Sequence, residues 1–537
     1  MLKEYQITNF KAFATPATIP IKPITLIFGP NSSGKSAILQ SLLMLTQTLK
    51  DNKGYNIPLL PKGSIVDLGT FQQFIHNHDI TESFSFKMTF SAPKDIWEGS
   101  DIYVDDTDKI SFKDKNNLFI LANSIQKFKT IGLEITFSLE KNSLNIMIPQ
   151  ISLYIGDNNN PVISYEPDSS RKLINAYFYK ENFDHKYWYT YWQSFDETHK
   201  KNIILLTKFR DGLINISRKE TNNELKRREI KGDISEGTES FKGFDDAIKA
   251  YSNMYKGDSL SLVCFIPALM DYFSLIRTIG FNFDNDEEKS RDVSLFTLTM
   301  GNLIKQFLEK IVYIGPLRET PRRHYIYRGI PFEEVGSGGE MVPDVLFNNP
   351  DLIEKINKEF SRFGINYNFK LSPFWNDQTN ICEVFSIDLI EKFTGNSASI
   401  RDVGFGISQV LPIIMQSLLS VKGNILIEQP ELHLHPALQA ELGDLFIDSA
   451  LGEQKNTFII ETHSEHLILR ILRRIRETSE GELPDGIQKI FPNDVAIIYA
   501  QPTREGSRIV HVPITEDGEF EIPWPEGFFT ERAKELF

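Results

Sequence analysis

The sequence predicts an α/β fold: two halves of a parallel-sheet core, with an antiparallel β lobe and a helical segment inserted between them. Three observations carry that expectation. Ile24-Thr-Leu-Ile-Phe28 is a continuous apolar run of the kind that makes a buried parallel strand, and Ser36 to Met44 behind it has helical periodicity without a breaker. Far along the chain, Ile425-Leu-Ile427 and Thr457-Phe-Ile-Ile460 repeat the buried-strand pattern. Between these ends, short alternating runs recur among Asn, Asp, Gly and Pro clusters, as antiparallel strands require.

Tyr5 to about Thr48 reads strand, turn, strand, loop, helix, the opening of an α/β core. The lobe follows in Ser83 to Phe90, Leu133 to Leu139, Leu144 to Ile148 and Ile151 to Ile155. Tyr177 to Phe195, with Trp188 and Trp192, has two readings: lobe core or protein contact, which the acidic chain favours, and a stacking platform for bases. Phe244 to Lys310 turns helical, but Pro267, glycines and aromatics interrupt every heptad register, so no long coiled coil is encoded. Ile311 to Ile314 resumes a strand, Gly315 to Arg328 is a basic loop, and the α/β pattern continues to Tyr499. The chain ends in Trp524-Pro-Glu-Gly-Phe-Phe529 and a short amphipathic helix. The expected division is residues 1–80 and 311–500 for the core, 81–243 for the lobe, 244–310 for the helical segment and 501–537 for a C-terminal extension.

At 537 residues the chain exceeds one compact core, and 41% apolar residues suffice for packing throughout. A net charge of −14 argues against coating nucleic acid or an anionic membrane by bulk electrostatics, although a local basic groove stays open. Two cysteines, Cys264 and Cys382, exclude a disulfide framework and a Cys-based zinc site and point to a reducing cytoplasm. Met1 to Phe10 carries charges where an export signal needs an apolar core. The most apolar long stretch, Leu260 to Ile276, contains Pro267 and Asp271 and falls short of the ~20 apolar residues of a membrane span.

Gly29-Pro-Asn31-Ser32-Ser33-Gly34-Lys35-Ser36 has the composition of a phosphate-binding loop. Without Cβ atoms at Gly29 and Gly34, the loop can curl until its backbone N–H groups point at phosphates, aided by the following helix N-terminus. Lys35 would reach the β and γ phosphates of ATP, and Ser36 would offer its hydroxyl to Mg²⁺. At the end of a second strand, Glu428 is the expected metal-holding acid. Gly404-Phe-Gly406-Ile-Ser408-Gln409 opens a helix and can donate N–H groups and a hydroxyl to a γ-phosphate, and His463, just past a strand end, can bond a terminal phosphate oxygen.

These residues together resemble the ABC-type ATPase heads of the SMC and RecF group, and more closely the AAA ATPases of the OLD and Septu PtuA kind. In that resemblance Asn9 to Phe13 matches the opening strand motif, Gly29 to Ser36 Walker A, Gly404 to Gln409 the signature, Glu428 the Walker B acid and His463 the switch histidine. Gln72 or Gln73 stands where the family places its Q-loop glutamine. The implied fold is an ABC-type P-loop ATPase head with an inserted β lobe. The resemblance also implies that the signature completes the site of a second subunit, giving an ATP-linked dimer or higher homo-oligomer, and that the protein controls a partner effector such as a nuclease in anti-phage defence. After His463 too little chain remains for the nuclease domain of OLD proteins, so the effector is expected on another polypeptide.

One position departs from the family. Gln429 replaces the second acid, and an amide orients a water but cannot take its proton. Hydrolysis is therefore expected to be slow, or to recruit Glu431 or His463; the other reading of Glu431 is a helix cap. His433 and His435 are expected to pack and cap. Gly336-Ser-Gly-Gly-Glu340 imitates a signature but lies too far from Glu428 and is read as a loop. Arg318, Arg322, Arg323 and Arg328, like Lys226-Arg-Arg228, either bind phosphates or form ion-paired loops. Two alternatives to the ATPase reading stay open: a scaffold that holds ATP with negligible hydrolysis, and a RecF-like DNA-repair ATPase.

Overall fold

A computed structural model describes residues 1–51, 57–91, 130–141, 143–156, 160–161, 163–167, 174–178, 301, 303–376 and 381–525. Its strands are β1 (Leu2–Thr8), β2 (Ala17–Pro20), β3 (Ile24–Phe28), β4 (Phe84–Ser91), β5 (Thr130–Leu139), β6 (Ile146–Ile155), β7 (Ile163–Pro167), β8 (Ile174–Phe178), β9 (Ile311–Ile314), β10 (Tyr325–Ile326), β11 (Tyr367–Asn376), β12 (Ile381–Glu391), β13 (Ser397–Ser399), β14 (Asn424–Glu428), β15 (Thr457–Glu461), β16 (Val495–Thr503) and β17 (Gly506–His511). Its helices are α1 (Lys35–Asp51), α2 (Phe71–Phe74), α3 (Val342–Asn348), α4 (Leu352–Arg362), α5 (Phe405–Leu419), α6 (Pro436–Leu451) and α7 (Glu465–Glu480). The chain divides into two units, Met1–Phe10 with Met44–Glu309 and Lys11–Leu43 with Lys310–Phe537.

In the first unit β1, β4, β5, β6, β7 and β8 pair antiparallel in that order. β4 and β5 bury alternate residues over most of their length, the period-2 signal of a sheet with one covered face. Phe10, Phe74, Phe84, Phe86 and Phe137 fill that face, with Phe84 stacked on Phe137 at 5.1 Å. The expected strands Leu144 to Ile148 and Ile151 to Ile155 are one strand, β6, running through Pro149. The β5–β6 register shifts between Thr136 and Ser138, opposite that proline, and the bulge spares it a ladder hydrogen bond it cannot donate. Of the expected helical segment 244–310 only residues 301 and 303–310 are described, and 303–309 are helical. Lys226-Arg-Arg228, residues 179–195 of the aromatic stretch and the terminal helix lie outside the described residues.

In the second unit the sheet order is β17-β16-β3-β15-β14-β9, parallel throughout except for β17. All five residues of β3 are buried, and β14 and β15 are buried beyond their first residue, as strands covered on both faces must be. Parallel order sends each strand end to the same sheet edge, where α/β sheets bind ligands. Register does the rest: Glu428 pairs with Glu461, and Glu461 with Ile27, so the loop after β3 and the ends of β14 and β15 converge. Trp524 meets Phe28 edge-on at 5.6 Å, packing the end of the described chain against β3.

The sequence pattern after Gly315 does not announce the antiparallel sheet β10-β12-β11, with β13 on β12; β10 falls within the stretch read as a basic loop. Phe385, Ile387 and Leu389 of β12 alternate into the core and pack with Leu352, Ile356 and Phe360, the i, i+4, i+8 stripe of α4. The mixed α/β architecture with sheets matches the expected fold class. Among the described residues no helix is long and apolar enough to cross a membrane.

Candidate nucleotide site

The loop after β3 can only be built with its glycines. Gly29 has φ +146°, and a Cβ there would lie 2.6 Å from the Ala500 carbonyl oxygen of β16. Gly34 has φ +93°, and its Cβ would meet the Ala12 Cβ at 2.9 Å and the Phe13 ring at 3.1 Å. The turn between β1 and β2, with Ala12 and Phe13, thus presses the loop into shape. Lys35 donates to the carbonyls of Gly29 at 3.0 Å and Pro30 at 2.8 Å, so its ammonium is folded over the loop it serves.

A cavity of about 350 Å³ opens beside this loop. Asn31, Ser32, Gly34, Lys35 and Ser36 line it, with Lys11, Gln429, Glu461 and His463. Loop, strand ends and histidine therefore meet in one place. Gly29 and Ser33 support the loop from behind; Ser33 is fully buried.

Beyond β14 the chain turns sharply, with Gln429 at φ +46° and His433 at φ +63°. The Gln429 N–H donates to the Glu461 carbonyl at 2.8 Å, tying the turn to the end of β15. From the other side Arg318, 6% exposed, donates through Nη2 to the carbonyls of Glu428 at 3.1 Å and Gln429 at 3.3 Å. Burial lowers the Arg318 pKa to about 10, opposed by Glu431 and Tyr313. Arg318 is thus an internal brace rather than part of a basic surface. Arg323 pairs with both oxygens of Asp402, and Arg328 with Asp344, as the ion-paired reading of this loop expects.

Glu431 stays off the cavity wall. Its carboxylate accepts from the Thr462 hydroxyl at 2.8 Å and the His463 N–H at 2.6 Å. It makes no helix cap; it ties down the turn after β15 and so sets the backbone that carries His463. His435 caps α6, its Nδ1 accepting from the Ala437 N–H at 3.3 Å. Gly336 to Glu340 forms a loop in which Ser337 and Gly338 carbonyls accept from Gly315 and Glu319.

The acids at the strand ends are not equivalent. Glu428 bonds the Tyr313 hydroxyl at 3.0 Å, and burial followed by the Glu461 charge raises its pKa to about 7. Glu461, which no sequence argument singled out, lines the cavity; burial raises its pKa, opposed by the neighbouring Ser36 and Lys35. Its only sequence signal is its position, the last residue of an apolar strand immediately before Thr462-His463. Burial lowers the pKa of Lys35 and, with the Lys35 charge, that of His463, so the histidine favours its neutral form.

Gly406, Ser408 and Gln409 at the start of α5 do not line this cavity. Ser408 lines a second one of about 530 Å³ with Arg322, Tyr325 and Pro412, and Gln409 is 1% exposed, so its side chain is enclosed. Gln73 accepts from the Thr70 N–H at 2.7 Å, and the Gln72 carbonyl faces His78 Nδ1.

The residues fit a metal–nucleotide complex. The cradle excludes any Cβ at Gly29 and Gly34, and Glu461 Oε2 is buried without a hydrogen-bond partner. Among the described residues no group of three His, Cys, Asp or Glu side chains could hold a metal alone. A magnesium ion sharing one or two protein oxygens with phosphates needs no such group.

Among solved structures the chain is similar to the Smc head domain of Pyrococcus furiosus, with an extended coiled coil and bound to the C-terminal domain of ScpA, at 12% identity and TM-score 0.35 over 100% of this chain and 98% of that one. It is also similar to the SMC head domain of Thermotoga maritima, at 10% identity and TM-score 0.34 over 96% and 99%. Comparison with curated proteins gave no match. Residues 1–468 match the family described as AAA ATPase domain. A phosphate-binding loop, two strand-end carboxylates and a histidine converge within that span, and the chain belongs to the AAA ATPase domain family.

Proposed function

We propose that this protein is an ABC-type ATPase that binds ATP with Mg²⁺, hydrolyses it slowly, and uses the bound state to join two copies and control a partner protein. The observation that carries the reading is the cavity in which Lys35, Ser36, Gln429 and His463 face one another. In it Asn31 to Ser36 hold phosphates, Lys35 answers the β and γ charges, and Ser36 with the strand-end carboxylates holds the metal, which neutralises phosphate charge. Gln429 orients the attacking water and His463 bonds the terminal phosphate, while Glu431 holds the His463 turn. Residues 1–80 and 311–500 supply the two halves of the head. Gly406 and Ser408 line no part of their own chain's nucleotide cavity, in keeping with a role at the site of a second copy.

The partner is a separate effector, a nuclease by resemblance to the OLD and Septu kind, in prokaryotic anti-phage defence. Gln429 also favours a second reading in which ATP is held and scarcely turned over. Binding of a fluorescent ATP analogue, phosphate release and mass in solution with and without ATP test both. Wild type should bind, turn over slowly and dimerise with ATP; Gln429→Glu should turn over faster, and Lys35→Ala should do none of these. Rapid wild-type turnover that Gln429→Glu slows, or no nucleotide binding, would overturn the proposal.

A further inference from the structure

We infer that Arg318 is a positioning residue for hydrolysis: by holding the carbonyls of Glu428 and Gln429 together, it fixes the turn that presents the Gln429 amide to the nucleotide cavity. The inference rests on the proposed ATPase reading and adds to it a residue that does not itself line the cavity.

The loop after β9 is built against the usual preference of its residues. Leu317 is 80% exposed, whereas the next residue, Arg318, is 6% exposed. Burying the charge and exposing the leucine is costly, and only specific contacts offset it. Those contacts are few. Nη2 donates to the Glu428 carbonyl at 3.1 Å and the Gln429 carbonyl at 3.3 Å, while among the described residues Nε and Nη1 are buried with no hydrogen-bond partner. All of the hydrogen bonding of this side chain therefore goes to two consecutive carbonyls of one turn.

That turn is strained. Gln429 has φ +46°, a conformation that a residue with a side chain keeps only where its surroundings hold it. Its N–H donates to the Glu461 carbonyl at 2.8 Å, and its carbonyl accepts from the Leu432 N–H at 3.2 Å as well as from Arg318. β15 thus holds the turn from one side and Arg318 from the other. Arg318 is itself seated, because the N–H groups of Gly315 and Glu319 on either side of it donate to the Ser337 and Gly338 carbonyls, both at 2.8 Å. The loop from Gly336 to Glu340 thereby gains a task.

Gln429 lines the cavity, and an amide orients a water only when its own place is fixed. A misplacement of about 1 Å in such a group costs on the order of 100-fold in rate. The Arg318 charge also acts on Glu431, whose carboxylate accepts the His463 N–H at 2.6 Å, so one guanidinium stands behind two residues of the cavity wall.

The test measures affinity for the fluorescent ATP analogue and, separately, phosphate release from ATP in a single turnover. The full chain is compared with Arg318→Met, Arg318→Lys, Gln429→Ala and the double variant Arg318→Met, Gln429→Ala. Arg318→Met should lower the single-turnover rate about tenfold or more and leave affinity within about threefold. Arg318→Lys, which keeps the charge without the planar fork, should fall between wild type and the methionine variant, and it is read in both backgrounds if the methionine variant fails to fold. Because Arg318 acts through Gln429, adding Arg318→Met to Gln429→Ala should change the rate by less than about threefold. A residue that merely stabilised the fold would cost as much in either background. An unchanged rate in Arg318→Met, a loss of affinity as large as that of rate, or an equal loss in both backgrounds overturns the assignment while the ATPase reading stands. A wild type that binds no nucleotide or releases no phosphate, or Gln429→Ala as fast as wild type, overturns that reading and the assignment with it.

Discussion

Replacing Glu428 by Gln should stabilise the protein at high pH and leave it unchanged at low pH. Glu428 is 9% exposed and adjoins Glu461; burial, then that neighbour's charge, raises its pKa from 4.5 to about 7 against Tyr313 and Lys11. A folded-state pKa above the unfolded one means stability that is fully present below pH 4.5 and lost as pH rises through 7. Above that window the ionised group costs about 3 kcal/mol. The amide introduced by Glu428→Gln would keep an oxygen for the Tyr313 hydroxyl and carry no charge at any pH. Thermal unfolding without nucleotide or metal should therefore show Glu428→Gln melting about 3 °C above wild type at pH 8, with near coincidence at pH 4.5. A difference that does not depend on pH, or a variant less stable at pH 8, would refute the assignment of strain to the carboxylate pair.

Gly34→Ala forces a side chain onto φ +93° and against Ala12 and Phe13, so the loop must distort. The expected result is a loss of about 1–3 kcal/mol in unfolding free energy and at least about tenfold in nucleotide affinity by fluorescence titration. Asp444 on α6 is 1% exposed and binds Arg470 at 2.6 Å and Arg474 at 2.7 and 2.8 Å on α7. Asp444→Ala leaves Arg470 only Glu441 and Arg474 only Glu477 as acidic partners and should cost about 1–3 kcal/mol by denaturant titration; a change below about 0.5 kcal/mol would show that the cluster is solvated.

The core was legible where burial acts on both faces of a strand. β3, β14 and β15 are continuous apolar runs because both of their faces are covered, and the loop after β3 is marked by two glycines that its neighbours make irreplaceable. The β11–β12 pair was hidden for the opposite reason. Its strands interleave core residues such as Phe369 and Ile387 with Lys370 and Glu383, and its pairing is a long-range property that no local period records. Arg318 read as one arginine among several in a loop, yet it is buried and braces the turn after β14. Glu461 was equally hidden, since only the register of β14 against β15 brings it beside Glu428 and toward Ser36.

That register also changes what Gln429 means. Read along the chain, it is an amide in place of a proton acceptor and is the ground on which slow turnover is proposed. In the folded protein Glu428 and Glu461 are already paired at the strand ends, each raised in pKa, with Glu431 behind them and Lys11, Lys35 and the buried Arg318 to balance the charge. A third carboxylate on the cavity wall would add repulsion to a site that must also accept a polyphosphate. On the proposed function, the amide at 429 would therefore serve retention of the nucleotide as well as slow turnover. Gln429→Glu should consequently raise the rate of the bound complex while weakening nucleotide binding, and single-turnover measurements separate the two. A variant that gains rate with no loss of affinity would show that the neighbouring acids are screened from position 429.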